Sequence, residues 1–208
     1  MQTFLDDVAK KIIASQGEID QVKIIVPSNR AINFLKEAFK RAIKTPLVAP
    51  EIYSVSQFIE SLSGVQRLSK VDLLHVFYEV YKEQTPTNEL ESFHQFFGWG
   101  ASLLDEFNEI DAQLVNPKEL FGFMKELSKL EAWGVQQKGA LSKQHYKIQN
   151  QYFIYYRTLY KKLVQMGGGY AGLCLREAVQ NLTFYMEQDL PKHFFVGFNA
   201  LTKAEDAI

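Results

Sequence analysis

The residues best suited to chemistry stand at a turn. Ser28, Asn29 and Arg30 follow the short β-branched run Val22-Lys23-Ile24-Ile25-Val26 and Pro27, and they precede a segment with helical apolar spacing. A strand, a polar turn and a helix place the turn at the C-terminal end of the strand, where open α/β sheets bind their ligands. The helix opening there offers free N–H groups and a positive dipole end to an anion. Ser28 and Asn29 can donate hydrogen bonds, and Arg30 can grip a phosphate with its planar fork. Ser54, Ser56 and Gln57 come after the next extended stretch, Pro46 to Tyr53, and extend the same edge. This arrangement predicts weak, sequence-independent contact with phosphate groups.

Other constellations carry two readings each. Lys36, Lys40 and Lys44, with Arg41, could line a nucleic-acid path, since phosphate contacts come from such local basic faces; an exposed amphipathic helix has the same look. Tyr155, Tyr156, Arg157, Tyr160, Lys161 and Lys162 mix rings and cations in the manner of a base-stacking surface, yet the ring spacing also matches the core stripe of a helix. Asp105, Glu106, Glu109 and Asp111 could hold a divalent cation or form a solvated acidic face.

Much chemistry is excluded. No glycine precedes a lysine, so a Gly-Lys-Ser/Thr phosphate loop is absent. Gly167-Gly168-Gly169 leads into a helix rather than out of a strand and reads as a flexible helix break. No Asp or Glu has a lysine two positions later, which removes the Asp/Glu-x-Lys element of metal nucleases. His75, His94, His145 and His193 are scattered without zinc spacing. The sequence thus calls for no catalytic residue, no metal and no cofactor.

The totals set the setting. The 208 residues carry 23 basic and 24 acidic side chains, a net charge of -1, so any attraction to nucleic acid must be local. The single Cys174 excludes a disulfide framework and fits a reducing, cytoplasmic environment. Asp6 and Asp7 interrupt any signal-like run at the N-terminus, and no apolar run approaches bilayer length.

The elements that must position these residues follow from periodicity and caps. Thr3 with Asp6 forms a capping box ahead of Leu5, Val8, Ile12 and Ile13, and Gly17 closes that helix. Val22–Val26 reads as a buried parallel strand. After a short helix ending near Gly64 the texture becomes all-helical. Ser69 with Asp72 opens a segment bearing Val71, Leu74, Phe77, Tyr78 and Tyr81, Ser92 caps an aromatic helix, and Asn116-Pro117 starts another. Residues 128–141 have weak periodicity and read as a loop or broken helix. Ser142 to Gln165 reads as one long helix with Tyr152, Tyr156, Leu159 and Leu163 inward, and Ala171 to Met186 as the next. Strand character returns at His193-Phe194-Phe195-Val196-Gly197, and Thr202 caps a helix that is only begun, as in a fragment of a longer chain. The order predicts an α/β sheet carrying a helical insertion: residues 1–64 and 187–208 as the core, 65–186 as the insertion.

A resemblance sharpens this. Val26-Pro27-Ser28-Asn29-Arg30-Ala31 with FLKEAF resembles the strand of UvrD- and RecB-type superfamily I helicases that reads T-x-T-N-(K/R)-A-A and whose turn contacts single-stranded DNA. Tyr53-Ser54-Val55-Ser56-Gln57-Phe58 resembles their T-x-H-x-(F/L) segment. Phe195 to Glu205, FVGFNALTKAE, resembles V-D-E-F-Q-D-T-N-x-x-Q without a gap, with Val196 and Gly197 at the acids and Asn199 at the glutamine. Tyr170 to Arg176 resembles the family's D-F-x-D-L-L helix. Neither Val196 nor Gly197 can coordinate magnesium or activate water. The degenerate frame, with PSNRA, LLDEFNEID and VGFNALTKAE, is similar to the N-terminal region of the AddB-like PD-(D/E)XK nuclease family.

The resemblance implies a RecA-like, P-loop-type parallel sheet lacking the phosphate loop, with a large inserted helical subdomain. It implies an inactivated helicase region that scaffolds and handles DNA in recombinational repair, no catalysis by this segment, and a nuclease site downstream. Its partners would be single-stranded or broken double-stranded DNA, an AddA- or RecB-like subunit and its own downstream domains. Two other classes remain open: an ATP-driven translocase completed by missing parts, and a protein-interaction domain without DNA contact.

Overall fold

The computed structural model describes the backbone of residues 3–15, 19–43, 48–134 and 139–208, with the side chains of these except 15, 20, 125 and 127–150. In chain order the elements are α1 (Phe4–Ser15), β1 (Val22–Val26), α2 (Asn29–Ala42), β2 (Glu51–Ser54), α3 (Val55–Ser63), β3 (Gln66–Arg67), α4 (Lys70–Gln84), α5 (Phe93–Ala112), α6 (Pro117–Gly134), α7 (Gly139–Met166), β4 (Gly168–Gly169), α8 (Ala171–Met186), β5 (Lys192–Phe195) and α9 (Lys203–Ala207). The described residues are mostly helical, with one three-stranded and one two-stranded parallel sheet among them. Two compact units divide it: Met1–Ser63 with Gln180–Leu201, and Gly64–Val179 with Thr202–Ile208. Among the described residues no helix is long and apolar enough to cross a membrane.

The first unit is built on β1. Its β-branched residues favour a pleated, enclosed strand, and β2 and β5 pair with it in parallel on either side, Ile24 standing opposite both Ile52 and Phe194. Strand alternation sends Val22, Ile24 and Val26 to one face. There they join Ala9 and Ile12 of α1 with Ile32, Leu35, Ala38 and Phe39 of α2 in one core. Ile25 faces the other way, also fully buried, on the face that Phe58 of α3 covers with its ring against His193 and Phe195. Burial of each such aliphatic side chain contributes roughly 1.5–3 kcal/mol. The pairing of β1 with β5 joins segments 170 residues apart, from Val22 to Lys192.

Local caps set the helix starts. Thr3 N donates to Asp6 Oδ2 at 2.8 Å and Asp6 N donates to Thr3 Oγ1 at 3.3 Å, the reciprocal capping box that satisfies otherwise orphaned donors. Gly64, just past α3, has φ +67°, the left-handed conformation that closes helices at low cost.

The second unit is a helical assembly around rings. Phe77, Phe96 and Phe107 are fully buried with Leu74, Leu159, Leu163 and Leu173. Phe77 meets Phe96 edge-on, centroids 5.1 Å apart at 78°, a favoured quadrupolar arrangement. Ser92 and Gln95 cap α5 reciprocally, and Asn116 Oδ1 accepts from Lys118 N and Glu119 N at the start of α6.

Several expectations are corrected here. Of the two readings of residues 128–141, the described residues favour the helical one over the loop: 128–134 continue α6 and 139–141 belong to α7, while 135–138 lie outside the described residues. Gly168-Gly169 is no flexible break: it pairs in parallel with Gln66-Arg67. Gly167, at φ +66°, makes the turn into it, and the strand pairing holds what local sequence would leave loose. Tyr156, Leu159 and Leu163 of the expected α7 stripe are buried, but Tyr152 is only half-buried and Tyr155 is buried in addition; Val71 of α4 is 63% exposed. The expected helix end at Gly17 lies outside the described residues.

Candidate functional site

The first unit gathers the candidate residues at one sheet edge. Val26 pairs with Ser54 at the C-terminal ends of β1 and β2. One residue past β5, Val196 N donates to Ile25 O at 2.9 Å, so the third strand finishes beside them. Three parallel strands thus release Ser28-Asn29-Arg30, Ser54–Gln57 and Val196–Asn199 on the same side, the side on which open α/β sheets bind ligands.

Each side chain has a definite circumstance. Ser28 is the N-cap of α2, extended at φ -154° and ψ 160°, and its Oγ accepts from Ala31 N at 3.2 Å. That use consumes an acceptor lone pair, and the hydroxyl proton is still a donor. Asn29 and Arg30 are exposed in the first turn of α2. The Arg30 guanidinium lies over the Phe34 ring, 5.7 Å from its centroid, with Phe34 54% exposed. A planar cation on an open ring is a combination able to neutralise a phosphate and stack a base. Phe34 was outside the residues singled out from the sequence; its signal was the i, i+4 spacing from Arg30, which puts both on one face.

The β2 side of the edge is partly closed. Ser54 is 3% exposed, and its N and Oγ both donate to Gln57 Oε1, at 3.0 and 3.1 Å, while Gln57 N donates back to Ser54 Oγ at 3.4 Å. Ser54 and Gln57 therefore form the capping box of α3, and Ser56 is the open hydroxyl of that turn. On the β5 side Val196 is buried and Asn199 exposed. Gly197 has φ +81°, a conformation that side-chain-bearing residues rarely adopt. Added bulk there would meet only Pro27 Cδ at 3.9 Å, so conformation rather than space calls for glycine.

Two residues of the basic row are engaged. Lys40 Nζ donates to Glu37 at 2.7 Å, and Arg41 holds Asp6 Oδ1 through Nη2 and Nε at 2.6 and 3.0 Å. The Arg41 hydrogen bond, first among several, pulls the Asp6 carboxyl down to about 2. Lys36 is exposed, and Lys44 lies outside the described residues.

In the second unit the ring-and-cation stretch of α7 has its rings in use. Tyr155 and Tyr156 are buried, and Tyr160 OH donates to Glu177. Arg157 and Lys161 are exposed without those rings beside them in solvent, and Lys162 pairs with Glu83 at 2.8 Å. The acidic cluster is not one face. Asp105 pairs with Lys70 at 2.8 Å, and Glu109 accepts from Gln113 Nε2 at 3.0 Å. Asp111 is fully buried, accepting from Tyr156 OH at 2.5 Å, Tyr170 OH at 2.6 Å and Arg176 Nε at 2.6 Å. Burial pushes its carboxyl above the ordinary value, against those donors. Arg176 Nη2 also donates to Ile110 O and Val115 O, tying the C-terminal end of α5 to α8. Helical spacing put Asp111 with its acidic neighbours; only the tertiary fold turns it inward. Among the described residues no group of three or more His, Cys, Asp or Glu stands together as a metal site.

No protein-family model matches the chain, and no curated protein matches it in sequence.

Proposed function

We propose that this chain is a non-catalytic, helicase-like region of an AddB-like helicase-nuclease, serving as a scaffold and a single-stranded-DNA-handling surface in recombinational repair. The observation that supports it is the convergence of Ser28, Asn29 and Arg30 with Val196, Gly197 and Asn199 at neighbouring ends of parallel strands. The first group has donors and a cation for a phosphodiester; in the second, Val196 and Gly197 have no side-chain oxygen where magnesium and water would be handled. In this reading the sheet is a RecA-like core, residues 65–186 are its insertion, and an AddA- or RecB-like subunit and downstream nuclease domains complete the assembly in the cytoplasm.

The DNA edge would work by charge and stacking. The first turn of α2 presents free N–H groups to one phosphate, Arg30 neutralises it, and the Phe34 ring offers a platform to a base. Ser56 adds a hydroxyl from the adjacent turn. None of these reads a base edge, so the binding is sequence-independent.

Fluorescence anisotropy with labelled oligothymidylate tests this across a salt series. Arg30→Ala is expected to weaken binding and to lower the slope of log affinity against log salt by about 0.7, one single-strand phosphate contact. An Arg30→Ala protein that binds as the parent does at every salt concentration would overturn the assignment of the edge. ATP hydrolysis stimulated by DNA would overturn the non-catalytic reading in favour of a translocase.

A further inference from the structure

The helical unit carries a half-open pocket of about 480 Å³ between the end of α4, residues 85–91, α5 and α7. Four rings line it, beside Gln84, Thr85, Pro86, Gln151 and two glutamates. Tyr81 meets Trp99 edge-on at 5.5 Å and 75°, and Tyr155 at 5.9 Å and 61°. Trp99 and Tyr155 are within 28° of parallel, centroids 6.4 Å apart, and Tyr152 lines the same space.

The polar tips of these rings are anchored. Tyr81 OH donates to Glu89 O at 3.2 Å and accepts from Glu91 N at 3.0 Å. Tyr155 OH lies 2.8 Å from Thr85 Oγ1, and Trp99 Nε1 donates to Glu91 Oε2 at 2.8 Å. These bonds fix the orientation of the Tyr81, Trp99 and Tyr155 rings. Glu91 and Glu89, both exposed, line the pocket, and none of the described lining residues is a lysine or arginine.

From this arrangement we propose that the pocket is a binding site for an organic cation, an alkylated ammonium or a guanidinium. Ring faces carry negative quadrupole potential and attract such cations, most strongly at tryptophan. The Glu91 carboxylate supplies the compensating charge that burial of a cation demands. Phosphate-bearing ligands meet the opposite: acidic groups and no basic partner. The volume lies within the roughly 300–1,000 Å³ of small-molecule sites. This site is independent of the DNA edge, which belongs to the other unit.

Calorimetry on the whole chain provides the test, with choline and N-acetylarginine amide as cationic probes, 3,3-dimethylbutan-1-ol as the neutral shape-match of choline, and thymidine monophosphate as the anionic competitor. At least one cation is expected to bind with a dissociation constant of roughly 1 mM or tighter. The neutral alcohol should bind about tenfold more weakly. Binding should shift the Trp99 indole N–H resonance, which Trp99→Phe assigns because the chain has only two tryptophans. Glu91→Gln keeps an acceptor for the indole and removes the charge, so it should weaken cation binding about tenfold with the far-ultraviolet dichroism and the melting temperature unchanged. Preference for choline marks an alkylammonium ligand, and preference for the arginine amide a guanidinium side chain; either supports the site. Equal binding of choline and its neutral match, no cation binding at 10-fold above roughly 1 mM, or tighter binding of the nucleotide would overturn it.

Discussion

Replacing Gly172 with alanine is expected to destabilise the helical unit severely, although Ala is the better helix former. Gly172 lies in the first turn of α8, where its N–H donates to Asn108 Oδ1 at 2.8 Å. A Cβ added there would stand 2.0 Å from the Asn108 carbonyl oxygen and 3.0 Å from Ala112 N, both backbone atoms of α5. Real Cβ contacts are essentially never shorter than 3.0 Å, so the two helices must part by about 1 Å. Backbone on one side and helix on the other cannot yield as a side chain would. Overpacking costs about 1–3 kcal/mol when side chains can adjust, and this site belongs at the top of that range or above it. The expected fall in melting temperature is about 6–12 °C, at roughly 2–4 °C per kcal/mol for a chain of this size. Gly98→Ala is the control: it lies within α5 with nothing within 4 Å of its added Cβ, and it should stabilise by about 0.5–1 kcal/mol. Thermal melts of both variants followed by circular dichroism give the comparison. A Gly172→Ala protein that melts at or above the parent temperature would refute the close crossing of α5 and α8.

Two further outcomes follow from charges held by the fold. Arg176→Met leaves the Asp111 carboxylate buried and removes the donor to Ile110 O and Val115 O, so urea unfolding at neutral pH should show a loss of about 3–5 kcal/mol. Burial already raises the Asp111 carboxyl, which means the folded state favours its protonated form, and the loss should shrink as pH is lowered from 8 to 5; a loss independent of pH argues against the buried charge as its cause. Asp6 shifts the other way, chiefly through its hydrogen bond from Arg41. Its ionised form contributes stability that is fully present above the ordinary value of 3.8 and is lost as pH falls toward about 2. Asp6→Asn should therefore be less stable than the parent at pH 6 and should converge with it near pH 2, and parallel stability curves down to that pH would count against the Arg41 contact.

What could be read from the sequence was local. Thr3 with Asp6 and the Ser92 cap announce helix starts because the groups that satisfy each other are three residues apart. The run Val22–Val26 announces an enclosed parallel strand because β-branched residues without alternation fit a strand covered on both faces, and its partners β2 and β5 are parallel to it. The turn at Ser28, Asn29 and Arg30 was legible for the same reason: a strand that ends and a helix that begins fix where such a turn must lie.

The tertiary structure alone decided the rest. Gly168-Gly169 became a strand through hydrogen bonds to Gln66-Arg67, about a hundred residues away. Asp111 shares helical spacing with acids that face solvent, yet Tyr156, Tyr170 and Arg176 meet it inside the protein. The pocket at Trp99 needs α4, α5 and α7 to bring their rings together. Helical period assigns a residue to a face but not the partner that will cover it, and burial, charge and access depend on that partner.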